Sequence, residues 1–258
     1  MFATNSLLFY GVVFLSNVIQ CITGFAGTVL AMPFSLMLVG YGVAKPVLNA
    51  LGAAASVGVV ASAPKKVNVY QFSKTLSVML VGMLIGTIVT SFAELSGDVL
   101  YILLGVAVIL FTALGCLNEF FIKRPMASLM PRGRATATDI AEDAGLLLTL
   151  VVAGLVHGLF VCGGPLLVLY ADRVLKDKQE FRTTLSAVWI VLNSLILVSD
   201  GIAGYFTPAT VGMLAISMVA LLGAALIGNL IADKLNRKVF MILTYALMLA
   251  SGVALLAK

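Results

Sequence analysis

Apolar stretches separated by short clusters of charge organise the whole chain. Reading from one charged residue to the next leaves uncharged runs at Met1–Ala44, Pro46–Pro64, Thr75–Ala93, Val99–Asn118, Ala144–Ala171, Thr183–Ser199, Gly201–Ala232 and Val239–Ala257. A helix needs about 20 predominantly apolar residues to cross the hydrocarbon of a bilayer. The runs of 17 to 20 residues therefore read as single spans. The longer ones are punctuated: Gly24 and Gly27 break the first, Gly163 and Gly164 break the fifth, and Gly204 with Pro208 marks a connection after Gly201. This pattern predicts helices over 5–22, 27–40, 46–64, 73–93, 98–118, 141–161, 164–175, 182–200, 208–232 and 238–257. Segments 27–40 and 164–175 are too short to span, so each is expected to be half of a broken or re-entrant hairpin, leaving eight to ten crossings. No sustained alternation of polar and apolar residues supports a β-barrel.

Composition agrees with lipid as the main solvent: of 258 residues, 61% are apolar and 10% charged, with a mean hydropathy of +1.13. An ionised side chain at bilayer depth costs about 2.5–3.5 kcal/mol or more, which is why the charges gather in the connections. No basic segment precedes the first apolar stretch, so no cleaved signal peptide is expected. Cys21, Cys116 and Cys162 form no CxxC and read as packing residues.

Cytoplasmic loops carry an excess of Lys and Arg. Lys65, Lys66 and Lys74, then Lys123, Arg124, Arg132 and Arg134, then Lys234, Arg237 and Lys238 mark three such loops. The Glu94–Asp98 and Asp200–Pro208 connections lack basic residues and belong outside. On this count the 119–140 loop is cytoplasmic and both termini are outside. The hairpin of 5–22 and 27–40 then opens outward and that of 141–161 and 164–175 opens inward. The fold class expected is an all-α polytopic membrane protein of two inverted-topology repeats, 1–120 and 140–258, joined by a cytoplasmic basic loop at 121–139. Each repeat has a glycine-rich helical hairpin followed by three transmembrane helices.

Two ordered matches support the repeat, at an offset of about 135 to 142 residues: FAGTVLAM at 25–32 with VCGGPLLV at 161–168, and LIGTIV at 84–89 with LIGNLI at 226–231. Inverted repeats with broken helices are an architecture of secondary transporters, in which half-helix N-termini aim positive dipole ends at an anion. Gly24, Gly27, Gly163 and Gly164 suit such a backbone site, with Pro165 opening the short helix and Thr28 and Cys162 lining it. Their plainer role is close packing between helices.

His157, the only histidine, lies on an otherwise uncharged span, where a polar residue is a functional candidate by default; a hydrogen bond to a neighbouring helix is the alternative. Asn49, Ser56, Asn193 and Ser194 follow the two hairpins and suit either substrate oxygens or interhelical hydrogen bonds. Lys45 and Arg182 open the spans after each hairpin; either attracts an anion to a mouth, or snorkels at a helix end. Trp189 is placed to wall a cavity, and Tyr205 to anchor at the interface. No Asp or Glu is expected mid-span, so coupling to protons through His157, to sodium through backbone carbonyls, or to neither stays open.

Enzyme chemistry is not expected: with one His there is no HExxH, and GxSxG and Walker A patterns are absent. No cofactor or metal is implied. The net charge of +5 is accounted for by cytoplasmic loops, without nucleic acid. An anion channel or a structural subunit of a membrane complex is the alternative class, although a structural subunit has no use for two glycine-rich breaks.

Gly24, Phe25 and Gly27 followed by Pro33, GLFVCGGPLLVLY at 158–170, DKQEFRTTL at 177–185 and the final LIGN span resemble the sulfite exporter TauE/SafE family over nearly the whole chain. The chain departs from that pattern at Gly27-Thr28-Val29, where the family carries a glycine run, and at Leu169, where it carries proline. The resemblance implies movement of sulfite, organosulfonates such as sulfoacetate or related small anions across a bacterial inner membrane. It adds Phe25 to the candidate substrate-binding residues Gly24, Gly27, Thr28, Asn49, His157, Cys162, Gly163, Gly164, Pro165, Arg182, Trp189 and Asn193. The expected partners are a small anion and the lipid bilayer, with a homodimer permitted.

Overall fold

The computed structural model describes residues 2–23, 27–92, 97–117, 137–175, 177–232 and 237–257. Gly24 and Phe25 lie outside the described residues, as do Lys123, Arg124, Arg132, Arg134 and Lys234.

Among the described residues, ten α-helices follow one another: α1 (Phe2–Thr23), α2 (Gly27–Val39), α3 (Tyr41–Ser62), α4 (Val69–Phe92), α5 (Gly97–Cys116), α6 (Ala137–Phe160), α7 (Gly164–Val174), α8 (Lys178–Ile202), α9 (Pro208–Ala232) and α10 (Arg237–Leu256). Stretches of α3, α4, α5, α8 and α9 are long and apolar enough to cross a membrane, counted among the described residues. At 1.5 Å per residue, α2 is about 20 Å long and α7 about 17 Å, short of a hydrocarbon core of about 30 Å. The exposed side chains are those of a lipid-facing surface, with Leu7, Leu84, Ile202, Val219 and Leu226 each at least half exposed.

All ten expected helices are present among the described residues, but four start four or five residues earlier than charge spacing implied. Asn68 caps α4, its Oδ1 accepting from Gln71 N–H at 2.9 Å, and Asp177 caps α8, its side chain accepting from Glu180 N–H at 2.8 Å. Such caps satisfy N–H groups that the first turn leaves unpaired, so the helices begin at the caps and run through their charged first turns. For α3 the start is set by Gly40, whose φ of 78° only glycine adopts readily. Lys45 therefore lies inside α3, not ahead of it. The fourth, α6, begins at Ala137 where 141 was expected.

Packing follows an exchange of the two halves. α1 packs on α9 as α6 packs on α4; α3 meets α9 as α8 meets α4; α3 pairs with α8 and α5 with α10. The tightest seam is between α4 and α6. A Cβ on Gly82 would overlap the Val151 carbonyl, one on Gly86 that of Leu155, one on Gly154 that of Met79 and one on Gly158 that of Met83. Gly82 with Gly86 and Gly154 with Gly158 are reciprocal small-xxx-small pairs, which let the helix backbones touch.

Candidate functional site

The α6–α7 break reaches the start of α2 in the interior. α6 ends at Phe160, the chain turns through Val161, Cys162 and Gly163, and α7 begins at Gly164 with Pro165 in its first turn. Val161 holds a φ of 59°, a left-handed conformation that a β-branched residue adopts only under strain. Cys162 is fully buried; its Sγ lies 3.1 Å from the Phe160 carbonyl oxygen and 3.7 Å from that of Thr28, at the start of α2. Thr28 and Cys162 thus come together across the two halves. Gly163 is a close-approach position: a Cβ there would overlap the Ala153 carbonyl and come within 2.9 Å of the His157 Cβ.

His157 is buried one turn before the break. Its Nε2 lies 2.9 Å from Asn193 Oδ1 on α8, and its ring stacks on Trp189 with centroids 4.6 Å apart. An amide oxygen only accepts, so Nε2–H donates and the lone pair of a neutral ring is left on Nδ1. Nδ1 has no hydrogen-bond partner. Asn49 on α3 donates through Nδ2 to the Asn193 carbonyl at 3.1 Å, and its Oδ1 is also unpartnered. Asn49, His157, Trp189 and Asn193 therefore form one cluster joining α3, α6 and α8. The interhelical hydrogen bonds foreseen as an alternative for Asn49, His157 and Asn193 exist, and two buried polar atoms remain free for a further partner.

Beside this cluster lies a small void of about 10 Å³, enough for one water, lined by Ser16, Asn17, Gln20, Gly27, Thr28, Ala31, Leu48, Leu51 and Gly52. Gly27 and Thr28 form the first turn of α2, whose N–H groups have no intrahelical acceptor. Gly52 links void and cluster, since a Cβ there would lie 3.2 Å from Asn193 Nδ2. Ser16, Asn17, Gln20 and Gly52 were missed by the sequence reading. The available signal was the cluster of polar residues on successive turns of α1 within an uncharged run.

Other candidates fall elsewhere. Pro165 is buried in α7, and Ser56 bonds back to the Gly52 carbonyl at 2.7 Å. Ser194 is exposed. Arg182 is exposed on α8, eleven residues and about 16 Å along the helix from Asn193.

The largest correction concerns Lys45. It does not snorkel: its Nζ lies 3.0 Å from Asp200 Oδ1, with both side chains about 2% exposed or less. Asp200, assigned to a connection because it is charged, is inside α8. Tyr41 stands by, with Lys45 Nζ 5.6 Å from its ring, its hydroxyl donating to the Leu159 carbonyl near the end of α6, and its ring edge-on to Tyr205 at 6.5 Å. Burial, and then the nearby Asp200 carboxylate, push the Tyr205 phenol up from its ordinary value. At the opposite end of α8, Asn68 donates to Glu180 Oε1 at 2.6 Å and through its backbone N–H to Thr184 Oγ1 at 2.9 Å. Polar layers therefore close the α8 seam on both sides of the His157 cluster.

No curated protein and no solved structure matches the chain. A protein-family model described as "Sulfite exporter TauE/SafE" matches residues 9–255. The match takes in all of α2 to α9, both glycine breaks and the His157 cluster, and the chain belongs to this family of membrane transporters.

Proposed function

We propose that the protein is a secondary transporter that moves sulfite or an organosulfonate such as sulfoacetate across the bacterial inner membrane. It does so by alternating access of two inverted repeats, 1–120 and 140–258. The observation that carries this reading is the polar lining at the start of α2, one glycine away from the His157 cluster, around a void that holds one water in this closed form and widens to admit an anion. A sulfur oxyanion offers several acceptor oxygens and one distributed charge. Ser16 Oγ–H and one Nδ2–H of Asn17 are held by the Val13 carbonyl, so the second Asn17 N–H and the Gln20 amide, with the N–H groups and dipole of α2, are the donors that stabilise such a charge without a fixed cation that would trap it. Among the described residues, charged and polar contacts close the seam on either side of this centre, as alternating access requires and an open channel does not. His157 Nδ1 is the atom at which a proton or a protonated anion would be held.

Thermal unfolding of detergent-purified protein tests this against sulfite, sulfoacetate, other sulfonates, sulfate and neutral solutes. A ligand that binds only the folded state at 100 times its Kd adds about 2.7 kcal/mol of stability. Sulfur oxyanions are expected to raise the Tm, and Asn17→Leu to abolish the rise. A well-folded protein whose Tm moves with neutral solutes and with no anion overturns the reading.

A further inference from the structure

Among the described residues, Lys45 and Asp200 are the only fully buried members of the Lys, Arg, Asp and Glu set. A buried ion pair recovers its desolvation cost only when its remaining lone pairs are satisfied. Here Asp200 Oδ2 has no hydrogen-bond partner. The two charges also lie at unfavourable helix ends. Lys45 is the fifth residue of α3, near the positive end of that helix dipole, and Asp200 is two residues from the negative end of α8. Moreover, the N-cap of α3, Gly40, provides no side-chain acceptor for the first N–H groups.

Each feature costs stability, and together they create one property. A full positive charge stands shielded from water, held by one carboxylate whose second oxygen is unsatisfied. Asp200 is the anion now at that charge.

We propose that Lys45 is a second anion subsite on the transport path, and that an incoming sulfur oxyanion displaces the Asp200 carboxylate from it. This rests on the anion-transport reading and assigns the route to the central void. Lys45 and Asn49 are one turn apart on α3, Asn193 and Asp200 two turns apart on α8, so the subsite and the His157 cluster share one seam. Displacement also loosens Tyr41, which ties the ion pair to the end of α6 through Leu159. The break at Val161 and Cys162 is thereby informed of an anion at Lys45.

The test compares sulfite titrations of thermal stability in wild type, Asp200→Asn, and Asp200→Asn with Lys45→Gln. Asp200→Asn removes the internal competitor, so the half-saturating sulfite concentration should fall about tenfold, equivalent to roughly 1.4 kcal/mol of competition. Lys45→Gln in the same chain should abolish the gain. An unchanged midpoint in folded Asp200→Asn, with wild type responding, overturns the subsite while leaving the transport reading intact. If wild type fails to respond while Asp200→Asn binds sulfite through Lys45, the anion does not displace the native carboxylate, and the subsite proposal is overturned.

A second measurement retains the ion pair, in case Asp200→Asn does not fold. Gly42 has room for a side chain, its Cβ position being 3.6 Å from the Tyr205 ring. Alkylation of Gly42→Cys by a maleimide should accelerate severalfold in sulfoacetate, whose sulfonate does not add to the maleimide as sulfite does, and not in a neutral osmolyte. A rate unaffected by sulfoacetate overturns displacement.

Discussion

The two hairpins hold equivalent places in the packing, yet they are built from different chemistry. The α1–α2 hairpin encloses a polar void, and its close-approach glycine, Gly27, faces the Gln20 side chain. Its outer support is soft: Gly11 on α1 has no heavy atom within 4 Å of a Cβ, and Gly223 on α9 faces Phe14 at an ordinary 3.6 Å. The α6–α7 hairpin is tightly abutted. Gly163 presses on a backbone carbonyl, Val161 is held at a strained φ, and four glycines join α6 to α4 backbone to backbone. Packing symmetry therefore does not carry chemical symmetry. One glycine break accommodates polar groups, while the other sets the position of His157 against α8.

The largest effect should come from separating the abutted seam. Gly154→Leu drives a side chain into the Met79 carbonyl and should destabilise the protein by about 3 kcal/mol, the upper range for overpacking. Gly11→Leu, on the soft side, should stay within about 0.5 kcal/mol. Thermal unfolding in one detergent ranks the two; equal losses would erase the distinction between the hairpins.

Gly163→Ala and Gly27→Ala test the same contrast at the breaks. Both should lose about 2 kcal/mol. Only Gly27→Ala should be partly rescued by Gln20→Ala, which removes the Oε1 and Cδ contacts and leaves the Cβ contact at 2.7 Å. Gly163→Ala meets the Ala153 backbone, which no side-chain truncation can withdraw. Rescue of both, or of neither, as read by Tm, would break the comparison.

Helix number and order were legible in the sequence because charge is expensive in lipid and therefore punctuates the spans. The same rule misplaced Lys45 and Asp200. A charge can lie inside a span when its counter-charge is there too, and that pairing joins residues 155 positions apart, beyond any local pattern. The polar candidates His157, Asn49 and Asn193 stood out as exceptions to an apolar background, whereas Gly52 did not. A glycine that links void to cluster carries no chemical mark in the sequence, and its role follows only from what a Cβ would touch. The caps Asn68 and Asp177 were present in the text but hidden among loop charges.

A smaller loss is expected from Asn193→Leu, which leaves His157 Nε2–H without its acceptor. The cost should be about 1–3 kcal/mol, and the bond from Asn49 to the residue 193 carbonyl should survive because it uses the backbone. The stacked Trp189 should hold the imidazole in place, so Trp189→Leu in the same chain should lose more than the sum of the two single changes. Additive losses in a double-mutant cycle would mean that Trp189 and Asn193 act on His157 independently.

The smallest effect belongs to Arg182. Its exposed position on α8, about 16 Å along the helix from Asn193, leaves it only a long-range influence on an approaching anion. Such attraction is screened over about 8 Å at physiological ionic strength and extends to about 30 Å at 0.01 M. Arg182→Gln should therefore leave the Tm unchanged and slow sulfite flux in proteoliposomes about twofold in dilute buffer, with the difference vanishing near 0.15 M salt. Lys45→Gln should behave oppositely, its loss persisting at high salt because a buried charge is poorly screened. A salt-independent loss at Arg182 would place that guanidinium in direct contact with the anion, and the path would then have a charged subsite at each end of α8.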